Sequence, residues 1–162
     1  MNTLILPDVD RALVAHLRAS YALNWDGIHG FSHWMRVRAN GLRLAQETGA
    51  DPEVVALFAL LHDVKRQNDG HDPGHGARAA AFARTLRTDY IDLDEEAFAH
   101  LTYACQHHTD GLTEAHVTVQ TCWDADRLDL GRVNIMPDPK LLCTEVAKRP
   151  DIRRWALERS QR

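Results

Sequence analysis

With 162 residues, 44% of them hydrophobic, and a formal charge of −4 at pH 7, the chain has the size of one compact domain with a substantial core, and a two-domain arrangement is not expected. The acidic balance excludes the basic surface that stable nucleic-acid binding needs, while leaving a small anionic substrate open. Met1–Leu6 has no basic lead and too short an apolar run for a signal peptide, and no stretch reaches membrane-spanning length. Cys105, Cys122 and Cys143 form no CxxC pair, so a soluble cytoplasmic chain with neither a disulfide framework nor a zinc ribbon is expected.

Helical spacing dominates the chain. Between Ser32 and Thr48, Val37, Gly41, Leu44 and Ala45 share a face that His33 opens and Gly49 stops. Asp51 then serves as an N-cap and Pro52 as a first-turn residue. Val54, Val55, Leu57, Phe58, Leu60 and Leu61 follow with hardly a polar side chain among them. A helix apolar on nearly every side belongs at the centre of a domain. It ends at His62-Asp63-Val64-Lys65-Arg66, and the Gly-, Pro- and Asp-rich stretch from Asp69 to Gly76 reads as a loop. Ala77–Leu86 and Asp94–His108 are two further predicted helices, Gly111 breaks the chain, and Val117–Leu130 is the next. Leu141–Val146 and Ile152–Leu157 are shorter pieces separated by Pro150. With strand signals nearly absent, the expected fold is an all-α single domain over residues 1–162.

Ten histidines are unusual at this length, because imidazole is both the commonest metal ligand and the group poised for proton transfer near neutrality. A His-Asp dipeptide alone carries no information: this composition yields roughly one by chance, and His71-Asp72 is a second. His62-Asp63 differs by position. Two strongly polar groups terminate the most apolar helix of the chain, where a buried carboxylate needs a cation or hydrogen bonds to compensate it. Adjacent helical residues point about 100° apart, so both can grip an ion lying beside the helix. His33 on the preceding helix and Asp126 on a later one complete a set of two imidazoles and two carboxylates. Such a set suits a divalent transition metal (manganese, iron, zinc, cobalt or nickel).

In order and placement, these residues resemble the HD superfamily of metal-dependent phosphohydrolases. The resemblance spans about residues 29–130 and rests on three motifs: His33-Trp34-Met35-Arg36-Val37, Leu60-Leu61-His62-Asp63 and Asp124-Ala125-Asp126-Arg127-Leu128-Asp129. It implies an HD-type helical bundle with the metal site between the central helices and residues 131–162 packed on the same domain as a C-terminal helical extension. It further implies His33, His62, Asp63 and Asp126 as metal ligands and hydrolysis of a phosphate ester or anhydride in a nucleotide or small phosphorylated metabolite by a metal-activated water. One ion is expected and a second is left open, since some members of the superfamily use further histidines, here His75, His107 or His108, around a bridging Asp63.

Asp63, His75 and His108 are the expected catalytic residues, and Arg36, Lys65, Arg66 and His107 the expected substrate-binding ones. His29, four residues before His33, faces the same way. Several nucleotide-hydrolysing members carry an acid where this chain has Arg66, so Asp69, Asp72 or His75 would have to take that role. Two alternatives stand beside hydrolysis: an HD-fold di-iron oxygenase, which uses a His, His-Asp, His, His, Asp pattern, and a non-catalytic metal-binding regulatory protein. A small phosphorylated molecule is the expected partner, with no membrane, and a homodimer is left open.

Overall fold

The computed structural model describes residues 9–162, so the reading of Met1–Leu6 lies outside the described residues. Eight α-helices and two short 3₁₀ turns follow one another, with no strand among the described residues. The first helix, α1 (Arg11–Ser20), has no counterpart in the sequence reading. Asp10 caps it by accepting the Leu13 N–H; Leu13 and Leu17, one turn apart, are fully buried, and Val14 packs beside them.

Helix α2 (Phe31–Thr48) carries His33, Trp34 and Val37 inward and ends at Gly49 in the left-handed conformation, φ 78°, where a Cβ would be strained. Helix α3 (Pro52–Leu61), capped by Asp51, runs through the middle of the bundle. It packs against α2 and against α4 (His75–Leu86), α5 (Glu95–His107) and α6 (Val117–Arg127). Two close approaches depend on glycine. A Cβ at Gly41 would run into the Val55 side chain, and one at Gly76 would lie 2.7 Å from the carbonyl oxygens of Cys105 and Gln106. The second contact sets the α4–α5 distance, and with it the separation of His75 from His108.

Trp34, Phe58, Leu61, Leu101 and Trp123 are buried together in the main core. A smaller core of Leu44, Leu128, Leu142, Ala147, Ile152 and Ala156 fastens the C-terminal part to the bundle. There the boundaries differ from those predicted. Helix α6 stops at Arg127 and continues as a 3₁₀ turn over Leu130–Val133; α7 occupies Glu145–Lys148, and Pro150 opens α8 (Pro150–Ser160) at its first turn. Proline lacks the N–H that a first-turn residue leaves unpaired, so it starts helices as readily as it separates them. The fixing point is Asp124, whose buried carboxylate accepts the N–H groups of Cys143 and Thr144 and the Thr144 hydroxyl.

Candidate metal centre

His33 leaves the first turn of α2, His62 and Asp63 the end of α3, and Asp126 the last turn of α6. Their donor atoms meet. His33 Nε2 lies 3.1 Å from His62 Nε2, 3.4 Å from Asp63 Oδ2 and 3.3 Å from Asp126 Oδ1. His62 Nε2 lies 3.4 Å from each of the same two oxygens.

The tautomers follow from what stands behind each ring. His33 Nδ1 is 2.6 Å from Asp129 Oδ2, and His62 Nδ1 is 3.2 and 3.1 Å from the carbonyl oxygens of Phe58 and Ala59. Both Nδ1 atoms therefore donate, and both Nε2 atoms face each other and two carboxylate oxygens, with Asp126 at the more open side. Two carboxylates and two ring nitrogens packed this way are compensated by protons on the rings or by a shared cation in their place. Their spacing matches a cation: donors about 2.0–2.1 Å from a tetrahedral ion are separated by roughly 3.3 Å.

A second cluster shares Asp63. His75 Nε2 lies 3.1 Å and His108 Nε2 3.5 Å from Asp63 Oδ1, and the two nitrogens are 2.9 Å apart. Again the far side of each ring is committed: His75 Nδ1 donates to the Asp72 carbonyl and His108 Nδ1 to that of Cys105, both at 2.6 Å. His33 and His62 face Oδ2 of Asp63, with Asp126 beside them, and His75 and His108 face Oδ1; each group has the donor chemistry to hold a divalent ion.

The electrostatics agree with the geometry. Burial alone would depress His33 and His62, but the surrounding aspartates outweigh it: His33 is raised, and His62 is pushed up to about 10 by Asp63 and Asp126. Against their own desolvation, the histidines hold the carboxyls of Asp63 and Asp126 well below the usual range. This is the field of a site built to hold positive charge.

Support behind the ligands comes first from Asp129, which the sequence left without a role. Asp129, 1% exposed, accepts the His33 Nδ1–H through Oδ2 and the Arg36 Nε–H through Oδ1 at 2.8 Å. A carboxylate behind a ligating imidazole fixes its tautomer and raises its basicity. Asp129 stands three residues after Asp126, and nothing short of the α6–α2 packing indicates its partner. The three aspartates of the last motif thus divide the work: Asp124 clamps the C-terminal helices, Asp126 faces the donors, and Asp129 orients His33. Asp72 holds the His75 loop, its carboxylate accepting from Arg78 and from the Gln67 N–H.

The structure distributes the expected substrate contacts differently. Arg36 directs its Nε–H to Asp129. Lys65 lies with its ammonium 4.3 Å over the Phe82 ring, a contact favourable for a long cationic chain. His107 pairs with Asp110 at 2.6 Å and packs on Tyr103, outside both clusters. Arg66 alone of the four touches the donor set, through Nε to Asp63 Oδ1 at 3.3 Å, while one Nη spans to the carbonyls of Asn68 and Gly70. His75 and His108, expected as proton-transfer groups, have Nε2 in the second cluster and Nδ1 committed to a backbone carbonyl. Beside the centre, His29 donates its Nδ1–H to Asp69 at 2.7 Å, its ring 6.4 Å from that of His33.

A family model described as HD domain matches residues 30–131. Among solved structures, the chain is similar to a crystal structure of a predicted HD superfamily hydrolase from an uncultured Thermotogales bacterium. The two share 24% identity and a TM-score of 0.70, with 91% of this chain and 84% of that one covered; that likeness is one of fold. No curated protein matches. Among the described residues, no helix is long and apolar enough to cross a membrane.

Proposed function

Because the chain belongs to the HD domain family, we propose that it is a metal-dependent phosphohydrolase that cleaves a phosphate ester or anhydride in a nucleotide or other small phosphorylated metabolite. The observation that carries this reading is Asp63, whose two oxygens each face a pair of imidazole lone pairs. His33, His62, Asp63 and Asp126 would hold one divalent ion, and Asp63, His75 and His108 a second. Bound divalent ions supply Lewis acidity, which polarises a phosphoryl oxygen and acidifies water.

The chain's own residues account for binding and proton transfer. Arg66, fixed against Asp63, is the cation positioned to take a phosphate oxygen. His29 is buried and its basicity is depressed mainly by that burial, with Asp69 opposing. It is therefore neutral at neutral pH, with its Nδ1–H on Asp69 and Nε2 left as a proton acceptor. Asp129 holds His33 in the tautomer that presents Nε2. With six ligands distributed over five residues of the His, His-Asp, His, His pattern and Asp126, the same set also serves a di-iron oxygenase, and the double cluster is the observation favouring that second reading.

Elemental analysis of the purified protein, followed by hydrolysis assays on nucleotides and generic phosphodiesters with manganese, iron, zinc, cobalt and nickel, separates the two. Hydrolysis lost in Asp63→Ala together with the metal supports the first. Dioxygen consumption by an iron-loaded protein without hydrolysis supports the second. An Asp63→Ala variant that binds metal and turns over like the parent defeats both.

A further inference from the structure

A third group of metal-type donors lies outside the centre. Glu96 and His100 are one turn apart on α5, so they share a face, and His116 is the N-cap residue of α6. The His100 and His116 rings stack 4.0 Å apart at 17°, and one donor atom from each of the three residues falls within 4.8 Å of the others. Neither the Glu96 carboxylate nor the His100 ring has a hydrogen-bond partner among the described residues.

We propose that Glu96, His100 and His116 bind a borderline-soft divalent ion, zinc, copper(II) or nickel, at a peripheral site separate from the buried centre. Two imidazoles and a carboxylate are a donor set those ions take, water completing the shell. As they stand, the near-parallel rings aim their lone pairs side by side. Rotation about χ2, a broad and shallow torsion for histidine, brings them to converge, and the exposure of Glu96 and His116 leaves room for it. One contact opposes binding. The Thr118 N–H donates to His116 Nδ1 at 3.2 Å. Ligation through Nδ1 takes that lone pair, and ligation through Nε2 puts the proton on Nδ1, so in either case Thr118 loses its acceptor. The site is therefore weaker than the buried one. When filled, it ties α5 to the start of α6 and closes the loop that begins at His108.

The test titrates zinc into the full chain already carrying its tightly held metal, with bound ions counted after equilibrium dialysis. The parent takes up one further equivalent. His100→Gln and His116→Gln each weaken that uptake by about tenfold or more, at least what loss of a mere supporting residue costs a metal site, with the tightly held metal unchanged. On zinc addition the Thr118 amide resonance of the parent moves. Absence of a further equivalent, equal uptake by both variants, loss of the tightly held metal in them, or an unmoved Thr118 amide would each overturn the proposal. The count of tightly held metal keeps the outcome distinct from that of the hydrolase reading.

Discussion

The buried centre and the Glu96–His100–His116 cluster use the same side chains, and they differ in what stands behind the donors. In the centre every candidate ligand imidazole has its Nδ1–H spent on a fixed acceptor: Asp129 for His33, helix carbonyls for His62 and His108, and the Asp72 carbonyl for His75. At the periphery the one hydrogen bond to a ring, Thr118 to His116 Nδ1, competes with ligation instead of supporting it. The difference teaches that donor count does not make a strong site; immobilised rings in the right protonation state do.

The largest expected effect separates ligand from non-ligand within the centre. His29, like His33, has a carboxylate at its Nδ1, but the proposed function gives it proton transfer, which contributes roughly 10²–10⁴-fold. His29→Ala is expected to lower kcat by about 10²-fold while the metal content stays at the parent value. Metal loss in this variant would move His29 into the ligand set.

Next comes the supporting shell. Asp129→Ala leaves His33 free to rotate and Arg36 unpaired, and a loss of roughly 10- to 100-fold in metal affinity is expected. Asp129→Asn retains an acceptor of the same shape and should recover part of it. A competition titration with a chromophoric chelator reads both. Parent-like affinity in Asp129→Ala would show that burial alone orients His33 and would remove the contrast with the periphery.

The pH dependence carries a sign that only the buried cluster predicts. In chelator-treated protein, His62 is raised from 6.5 to about 10 by Asp63 and Asp126. Its contribution to stability is thus fully present below about 6.5 and lost as pH rises through about 10. The depressed carboxyls of Asp63 and Asp126 contribute at any pH above their ordinary range and lose that contribution only in acid. The chelator-treated chain should therefore lose Tm between pH 7 and 10. Over the same interval the Tm gained on adding metal should grow, because the proton that competes with the ion departs. A metal-induced gain that shrinks with rising pH would contradict the assignment of His62.

How much of this was legible in the sequence depended on how local the cause was. The central helix α3 and the dyad at its end announce themselves, because an apolar run ending in His-Asp is a local contradiction that only a partner resolves. His33 and Asp126 needed the family resemblance as well as helical spacing. Helix α1 stayed hidden although Ala12, Leu13, Val14, Ala15 and Leu17 are apolar, because a stretch of ten residues with only Leu13 and Leu17 fully buried and Val14 packed beside them carries a short periodic signal. Asp129 was hidden because its partner is 96 residues away. The directions of Lys65, Arg66 and His107 were beyond reach: a flexible side chain's rotamer is settled by its tertiary neighbours, Phe82 in one case and Tyr103 with Asp110 in another.

The smallest effect tests that last point between adjacent residues. Lys65 rests on Phe82 and offers only its carbonyl to Arg78, so Lys65→Ala should remove a cation–π contact of about 0.5–1 kcal/mol, lower Tm by roughly 1–4 °C and leave kcat/KM within about twofold. Arg66 touches Asp63 and spans the loop that carries Asp69, so Arg66→Ala should raise KM several-fold or more through the lost phosphate contact. Thermal melts and steady-state kinetics on the two variants decide between them. If Lys65→Ala impairs turnover as much as Arg66→Ala, the ammonium leaves Phe82 for the substrate, and the turn after the dyad acts as a basic clamp with two arms.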